Sequence, residues 1–458
     1  MPLNTMDTAP SLESCRALDA ADALRSLRAQ FQLPSGVVYL DGNSLGALPQ
    51  AALASVQQAL QQEWGQGLIR SWNDAGWIHR AQAVGDAIAP LVGAGAGELT
   101  VADSTSVNLH KVLWAAIGLA QQRGRGGGPA RRVLLTETDN FPTDRYIAQG
   151  VCDALGWVLR DVGPAPGDHA QAAAIGHPRS SAVMAALSDP QVGVLLLTHV
   201  DYRSGAMHDM AAINRAARAA GVITVWDLAH SAGAVEVDLK AAAAQADFAV
   251  GCGYKYLNGG PGAPAFVWVH PAHVNAVEQP LRGWLGHAAP FEFDAGYRPA
   301  QGIARYACGT PPILSLTALQ AGVNSLRAAD PLGGMAALRA KSLSLTRTFI
   351  RASQAAAQAH GLHLATPLRD EHRGSQVSWA CGREAPDGYS VMRTLIERGV
   401  IGDFRASPRP GQPDLLRFGF APAYNTHEEA WCAAQALGEA LRHVARQGPR
   451  AAARPPVT

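Results

Sequence analysis

The chain has 458 residues, of which 48% are hydrophobic, and a formal net charge of +1 at pH 7. This length supports a large hydrophobic core and more than one domain of ordinary size. The balanced charge and the lack of a basic run interleaved with aromatic residues argue against nucleic acids or anionic membranes as partners.

The cysteines and the N-terminus bear on the compartment. The six cysteines are scattered without a C-x-x-C pair, and no histidine cluster has zinc spacing, so no metal site is predicted and a reducing compartment is favoured. The N-terminal segment contains acidic residues and no long apolar stretch, which is not typical of a secretory signal or a transit peptide. No apolar run approaches the length of a membrane span. We therefore expect a cytoplasmic protein.

Segments with strand and helix character alternate along most of the chain. "GVVYLDGNSLGALPQ" predicts a short strand, a turn and a helix start, and residues 49–64 have helical spacing. The strand "ELTVADSTS" leads into the helix "VNLHKVLWAAIGLAQQ". Further buried strands are predicted in "RRVLLTETDNFPTD", "VGVLLLTHVDYRSG", "VITVWDLAHSAG", "ADFAVGCGYKYLNGG" and "PAFVWVH". Apolar strands alternating with helices are typical of an α/β fold with a mostly parallel sheet covered on both faces.

The pattern changes after about Thr310. One long helix is predicted from about Leu314 to Gln358, followed by the strand-like stretches "SQVSWAC", "VIGDFRASP" and "LLRFGFAP". We predict a large domain over residues 46–312 and a smaller α+β domain over residues 313–445. Residues 1–45 are expected to pack with the small domain, residues 164–181 to form a loop, and residues 446–458 to form a disordered tail.

Polar side chains follow several of the predicted strands. In open α/β sheets, ligands bind outside the carboxyl ends of the strands, so these residues predict a ligand site at that edge. Six of them also have a structural interpretation. Ser104, Thr105 and Ser106 or Asp227 could cap a helix, His230 could be structural, and Lys255 could lie in a solvated loop. The residues are Ser104, Thr105, Ser106, Asp144, Thr198, Asp227, His230 and Lys255.

Taken together, these residue types match the needs of pyridoxal 5′-phosphate (PLP). That cofactor needs a lysine for its aldehyde, an acid for its pyridine nitrogen, a phosphate cradle and a partner for its ring. Lys255, Asp227, Ser106 with its neighbours and Phe141 of "DNFPTD" provide these four groups. The combination outweighs the separate structural interpretations, and it predicts a PLP site.

Several motifs resemble one family of enzymes. "YLDGNSLGALP", "TSVNLHKVL", "NFPTDRY", "WDLAHSAGAVEV", "GYKYLNGGPGA", "GWLGH", "GTPPILSL" and "LLRFGFAPAYNTHEE" span residues 39–428. The arrangement resembles the fold-type I PLP enzymes of the class V aminotransferase group, and more closely the kynureninase family, especially its bacterial members. The resemblance implies a large PLP-binding domain with a mostly parallel sheet plus a smaller α+β domain.

The resemblance also implies roles for individual residues. Lys255 would carry PLP, and Tyr254 would contact the phosphate and serve as a candidate proton donor. Trp284 and Thr310 match phosphate contacts drawn from the second subunit of a homodimer. The remaining implied cofactor contacts are Thr105, Ser106, Phe141, Asp144, Thr198, Asp227 and His230. Arg417 would bind the α-carboxylate of the substrate, and its aryl group would lie near Asn43, Ser44, Trp72 and His287.

The implied reaction is the hydrolysis of L-kynurenine to anthranilate and L-alanine in tryptophan catabolism, with 3-hydroxy-L-kynurenine as a second substrate. Trp72 and Thr310 stand where animal relatives carry histidine and asparagine, which favours L-kynurenine over the 3-hydroxy form.

Other functions remain as alternatives. A cysteine desulfurase or selenocysteine lyase needs a nucleophilic cysteine shortly before the carboxylate-binding arginine, and residues 400–419 contain none. A non-catalytic PLP-binding paralogue is disfavoured by the joint presence of Lys255, Asp227 and Arg417. A PLP sensor fused to a DNA-binding domain would need more chain than the roughly 38 residues before the first strand.

Overall fold

The computed structural model describes residues 9–125, 131–163, 180–407 and 411–448. Most of the predicted loop at residues 164–181 and nearly all of the predicted tail at residues 446–458 lie outside these ranges. The last described helix continues to Gln447, which is two residues into the predicted tail.

The N-terminal region consists of short elements. Its strands are β1 (Phe31–Gln32), β2 (Val38–Tyr39) and β3 (Leu48–Pro49), and β1 pairs antiparallel with β3. Its helices are α1 (Leu12–Ala21), α2 (Gln50–Gln58), α3 (Ser71–Asp74) and α4 (Trp77–Ile88). The predicted helix at residues 49–64 is present, but it continues from α2 as a π-helix over Ala59–Gly67. Short 3₁₀ turns lie at Arg25–Gln30, Leu68–Arg70 and Ala89–Val92.

The central feature is a seven-stranded sheet. Its strands are β4 (Leu99–Val101), β5 (Val133–Glu137), β6 (Val158–Val162), β7 (Val192–Thr198), β8 (Ile223–Asp227), β9 (Phe248–Gly251) and β10 (Phe266–Val269). The spatial order is β4-β10-β9-β8-β7-β5-β6. Only β10 runs antiparallel to its neighbours, so the other six strands share one direction. The predicted mostly parallel sheet is confirmed, although β6 and the helix before it were not predicted.

Helices cover both faces of this sheet. They include α5 (Thr105–Arg125), α6 (Pro142–Leu155), α7 (Ser180–Ala186), α8 (Met210–Ala220), α9 (Pro271–Val274) and α10 (Ile313–Arg327). Along β7, Leu196 packs in a core with α5 and α6, while Leu195 and Leu197 pack in a second core with α4, α8 and α10. Successive strand residues point to opposite faces, which explains why this strand is apolar throughout.

The C-terminal region builds a second sheet. Its elements are α11 (Gly334–Ala359), β11 (Leu362–Leu364), β12 (Gln376–Cys381), α12 (Gly388–Glu397), β13 (Val400–Ile401), β14 (Asp403–Arg405), β15 (Leu415–Gly419) and α13 (His427–Gln447). Four of the strands form an antiparallel sheet in the order β11-β12-β15-β14. β13 instead pairs in parallel with β2. A third core of α11, α12 and α13 packs on this sheet through residues such as Phe349, Trp379 and Phe418.

The prediction of one helix from Leu314 to Gln358 was wrong. Two helices are present, separated by a 3₁₀ turn at Asp330–Leu332. Pro331 favours a new helical start, and Gly333 adopts a φ of 103°, which is unfavourable for residues with a side chain. The first helix, α10, packs in the core of the large sheet through Leu316, Leu319 and Val323. The predicted domain boundaries remain a prediction, and this packing favours an end of the large domain nearer Gly333.

The first helix lies against the last one. Trp431 Nε1 donates to Pro10 O at 3.0 Å, and Asp19 Oδ1 lies 2.8 Å from His427 Nδ1. An ion pair between Asp22 and Lys341 of α11 adds a buried link at 2.7 Å. Within the described ranges, no helix is long and apolar enough to cross a membrane.

Candidate active site

The sheet topology brings the predicted strand-end residues to one edge. β4, β9, β8, β7 and β5 share one direction, so their carboxyl ends meet there. Thr198 and Asp227 are the last residues of β7 and β8, and they are register partners. Lys255 follows the end of β9 by four residues, and Thr105 begins the helix after β4. This edge is where ligands bind in such sheets.

Lys255 is half-buried and contacts His230. Its Nζ lies 2.9 Å from His230 Nε2 and 5.8 Å from the centre of the Tyr254 ring. Burial and the nearby lysine charge hold the pKa of His230 well below its usual value. The imidazole is therefore neutral, and its Nε2 accepts a hydrogen bond from the lysine. His230 Nδ1 is buried without a hydrogen-bond partner in the described chain.

Two buried acids lie side by side at this edge. Burial raises the pKa of Asp227, and burial together with the charge of Asp227 raises the pKa of Asp144 well above its usual value. Asp144 therefore holds a proton and donates it in a hydrogen bond to Asp227, which also accepts from Ala229 N at 2.7 Å. A buried acid pair of this kind favours a cationic partner.

An asparagine supports this acid pair. Thr198 Oγ1 lies 2.5 Å from Asn140 Oδ1 and 3.3 Å from Asp144 Oδ2. Asn140 also donates to Thr136 Oγ1 at 2.9 Å and accepts from Phe141 N at 2.7 Å. It thus fixes the backbone of Phe141, whose ring edge packs on Tyr202 with centres 5.1 Å apart. Asn140 and Tyr202 were not predicted as site residues, although both lie in polar stretches directly after predicted strands.

The first turn of α5 offers free hydroxyl groups. Ser104 caps the helix by accepting from Val107 N at 3.3 Å. Neither Thr105 nor Ser106 uses its hydroxyl in a hydrogen bond to another described residue. A helix N-terminus with free hydroxyls and amides is suited to a phosphate.

A buried lysine holds this turn in place. Lys111 ion-pairs with Asp103 and donates to Tyr306 O at 2.6 Å. Asp103 adopts a φ of 48°. Sequence reasoning missed Lys111, and the signal was a lysine within the apolar helix stretch "HKVLWAA".

Arg417 is almost fully buried in β15. It forms an ion pair with Asp403 and donates to Tyr202 O. Its Nη2 lies 3.3 Å from Ser44 Oγ, and its Nε has no partner in the described chain. Asn43 lies beside this arginine region, where its Nδ2 donates to Gln376 Oε1 at 3.0 Å and its Oδ1 lacks a partner. The structure therefore brings the predicted Ser44 and Arg417 together, with Asn43 adjacent in the chain.

Four predicted residues make their contacts elsewhere within the described chain. Thr310 is exposed, and Trp284 packs on Phe291 and Phe293 with ring centres 5.5 and 6.2 Å apart. His287 accepts from Ala289 N at 3.0 Å and lies 3.2 Å from Gly296 O. Trp72 packs edge-on against Trp77 at 5.8 Å. None of these contacts leads to Lys255 of the same chain, and their predicted roles remain predictions.

Comparison with known proteins identifies the family. The family model described as "Kynureninase C-terminal domain" matches residues 338–437. A protein of Pseudomonas fluorescens named kynureninase is 49% identical over 429 residues, which cover 93% of this chain and 94% of the relative. The chain belongs to the kynureninase family. The family resemblance inferred from the sequence motifs is thereby confirmed.

Solved structures show that this kynureninase-family chain has the predicted fold. A cysteine desulfurase from Thermococcus onnurineus NA1 superposes with a TM-score of 0.71 at 19% identity, covering 91% of this chain and 98% of that one. A C-DES structure with glycine covalently linked to the PLP cofactor has a TM-score of 0.68 at 18% identity, covering 90% and 98%. At these identities the likeness establishes the fold alone, so it lends no support to desulfurase chemistry.

Proposed function

We propose that this protein hydrolyses L-kynurenine to anthranilate and L-alanine with PLP as its cofactor. One observation carries the proposal: in a chain 49% identical to a protein named kynureninase, Lys255 lies at the same sheet edge as the hydrogen-bonded buried acid pair Asp144–Asp227. In the reaction, water is consumed and the Cβ–Cγ bond is cleaved. The new carboxylate belongs to anthranilate and the new C–H bond to alanine.

The residues at this edge fit the cofactor. The acid pair Asp144–Asp227 suits a protonated pyridine nitrogen, and the free hydroxyls of Thr105 and Ser106 suit a phosphate. His230 Nδ1, which has no partner in the described chain, can hydrogen-bond a polar group of a bound ligand. Lys255 would bind the cofactor aldehyde, and Phe141 would lie against the ring. When bound, PLP withdraws electrons from the substrate Cα and thereby stabilises a negative charge there.

The protein groups would bind the substrate and move its protons. Lys255 would remove the Cα proton, because its amine is released when the substrate amine takes its place on the cofactor. Burial raises the pKa of the Tyr254 phenol, so this group stays protonated at neutral pH and can donate. The fork of Arg417 would bind the α-carboxylate, for which planar guanidinium geometry is suited.

The aryl end of the substrate is assigned to Asn43, Ser44, Trp72 and His287. Of these, Ser44 contacts Arg417 and Asn43 is its neighbour in the chain, which supports a substrate lying along the loop between β2 and β3. We further propose that L-kynurenine is preferred over its 3-hydroxy form, since Trp72 offers an aromatic surface and an indole N–H at a position where a histidine would offer an acceptor for a ring hydroxyl.

We propose a homodimer in which Trp284 and Thr310 face the active site of the second copy. Two features support this: both residues are exposed, and Trp284 forms an exposed aromatic group with Phe291 and Phe293. Exposed apolar groups of this kind are typical of interfaces. Light scattering of the purified protein tests the assembly, and a fully active monomer would contradict it.

We also propose a cytoplasmic location, which the six free cysteines support.

The decisive experiment is a fluorescence assay for anthranilate. Purified protein with PLP and L-kynurenine should produce anthranilate, and the Lys255→Ala variant should not. L-Cysteine should release no sulfide in the same preparation, because residues 400–419 contain no nucleophilic cysteine. Sulfide without anthranilate would favour the desulfurase alternative. A PLP absorption band with neither product would support PLP as the cofactor and contradict L-kynurenine as the substrate.

A further inference from the structure

Asp41 is a partly buried acid close to the arginine assigned to the substrate carboxylate. It follows β2, and its backbone pairs in parallel with Gly419, two residues after Arg417. The Ser44 side chain hydrogen-bonds the Asp41 carboxyl, and the Ser44 hydroxyl also lies 3.3 Å from Arg417 Nη2. Asp41 Oδ1 is buried and has no hydrogen-bond partner in the described chain. The acid is therefore linked to Arg417 through Ser44 without a direct ion pair of its own.

The surrounding charges are balanced before a ligand arrives. Asp403 pairs with Arg417 and also lies 2.9 Å from Arg405 Nε. With Asp41 ionised, two carboxylates face two guanidinium groups and the formal sum is zero. The remaining titratable groups that face Asp41 are three phenols, one from the end of β2 and two from other segments, and burial raises the pKa of each so that they stay neutral. They are Tyr39, Tyr256 and Tyr424.

A third carboxylate would disturb this balance. If an anionic substrate group joined Arg417 while Asp41 stayed ionised, the buried cluster would carry a net negative charge. Such a charge is costly in a site with little water. Asp41 is the acid best placed to remove it, because its Oδ1 has no partner in the described chain, whereas Asp403 is paired with two arginines. Burial and the charge of Asp403 raise the pKa of Asp41 to about 7.

We propose that Asp41 takes up a proton when a carboxylate binds Arg417, and that it thereby acts as a positioning residue that keeps the substrate-binding cluster neutral. This inference rests on the proposed function, since it assumes that Arg417 is the carboxylate site. Asp41 does not touch the reacting atoms. Its effect would reach the substrate through Ser44 and Arg417.

The pH dependence follows from linkage. Below about pH 7, Asp41 is already protonated, so binding of a carboxylate to Arg417 takes up no proton there. In that range the affinity for the carboxylate does not change with pH through Asp41. Above that pH the free site has lost the proton and must regain it on binding. The affinity for the carboxylate should then fall by up to about tenfold per pH unit. Proton uptake on binding should approach about one proton per site.

Calorimetry on the PLP-loaded protein tests this directly. The probe is 3-benzoylpropionate, a carboxylate with an aryl ketone and no amine, which cannot replace Lys255 on the cofactor. Titration in two buffers of different ionisation enthalpy gives the number of protons taken up. We expect roughly one more proton per site at about pH 8 than at about pH 6 in the wild type. Asp41→Asn should abolish this difference, whereas Asp153→Asn on the exposed face of α6 should retain it.

The outcomes separate this inference from the proposed function. Equal proton uptake in Asp41→Asn and the wild type would overturn the proposed role of Asp41, even if anthranilate is formed normally. Proton uptake that depends on Asp41 would support it, even if no anthranilate is formed. Infrared difference spectra of the wild type with the same probe answer the question without a variant. A new protonated-carboxyl band at about pH 8 is expected, and its absence would contradict the inference.

Discussion

Asp403 and Arg417 face each other as register partners on neighbouring antiparallel strands and form an ion pair in which both side chains are 2% exposed. Removing one charge of a buried pair leaves the other without compensation, which costs about 3–5 kcal/mol. We expect Asp403→Asn to lose about 3 kcal/mol of unfolding free energy and to raise KM more than it lowers kcat. Urea denaturation and steady-state kinetics measure these effects.

A matched control is available at an exposed pair. Arg398 and Glu439 lie 2.9 Å apart on the surface, and exposed pairs contribute about 0–1 kcal/mol. Glu439→Gln should therefore leave the urea midpoint and KM nearly unchanged. Equal losses in the two variants would show that the Asp403–Arg417 pair has no special role.

The acid pair predicts unequal effects of two similar substitutions. Asp144 holds the proton, so Asp144→Asn replaces one neutral donor by another and should lower kcat/KM by about tenfold or less. The Lys255 charge and the hydrogen bonds from Ala229 N and Asp144 favour the ionised form of Asp227, so Asp227→Asn should lower kcat/KM by at least about a hundredfold and weaken PLP binding. Kinetics and fluorescence titration with PLP measure both. The reverse ranking would mean that the proton resides on Asp227.

Tyr254 should matter for proton transfer more than for holding the cofactor. Tyr254→Phe keeps the ring beside Lys255 and removes the hydroxyl. General acid catalysis typically contributes about 10²–10⁴-fold, so we expect kcat to fall at least about a hundredfold while PLP affinity changes only a few-fold. A kcat close to that of the wild type would exclude Tyr254 as the proton donor.

Asp41 should also make folding stability depend on pH. Its folded-state pKa is raised to about 7 from an ordinary value of 3.8, so the folded protein binds more protons than the unfolded chain between these values. The contribution of Asp41 to stability therefore falls as pH rises through this window.

The same substitution used for the binding test reveals this effect. Asp41→Asn has no carboxyl to ionise, so it should gain urea resistance over the wild type as pH rises from about 4 to about 8. Denaturation midpoints of the two proteins measured across this range provide the check. A difference that does not change with pH would show that Asp41 ionises normally in the folded protein.

The proposed substrate preference has a kinetic test. We expect a higher kcat/KM for L-kynurenine than for its 3-hydroxy form, because the Trp72 side chain has no acceptor for the ring hydroxyl and gains nothing from it. Trp72→His should shift the ratio towards the 3-hydroxy substrate by providing a hydrogen-bond acceptor. A wild-type preference for the 3-hydroxy form would refute the assignment.

Much of the sheet could be predicted from the sequence, since each strand from β7 to β10 is a short apolar run bounded by glycine or polar residues. The same pattern placed Asp227 and Lys255 at strand ends, where their chemistry could be interpreted. β6 escaped prediction because its sequence, "VLRDV", mixes charged and apolar residues at the sheet edge. The helix break near Pro331 was missed even though proline and two glycines mark it.

The parts of the site that could not be predicted depend on contacts between distant segments. Asp403 becomes a partner of Arg417 only through the register of β14 and β15, and Asp41 joins them only through its bridge to Gly419. A single sequence contains no signal for such pairings. The protonation of Asp144 likewise arises from burial beside Asp227, which follows from the packing of α6 against the sheet.

The parallel pairing of β2 with β13 joins Val38 to Val400, more than three quarters of the chain apart. During synthesis, the strands from β4 to β10 emerge and can pair long before β13 exists. The segment that carries Asn43 and Ser44 must wait for the last part of the chain before it has a strand partner. Assembly of the substrate-binding region is therefore expected to be a late event in biogenesis, after the large sheet has formed.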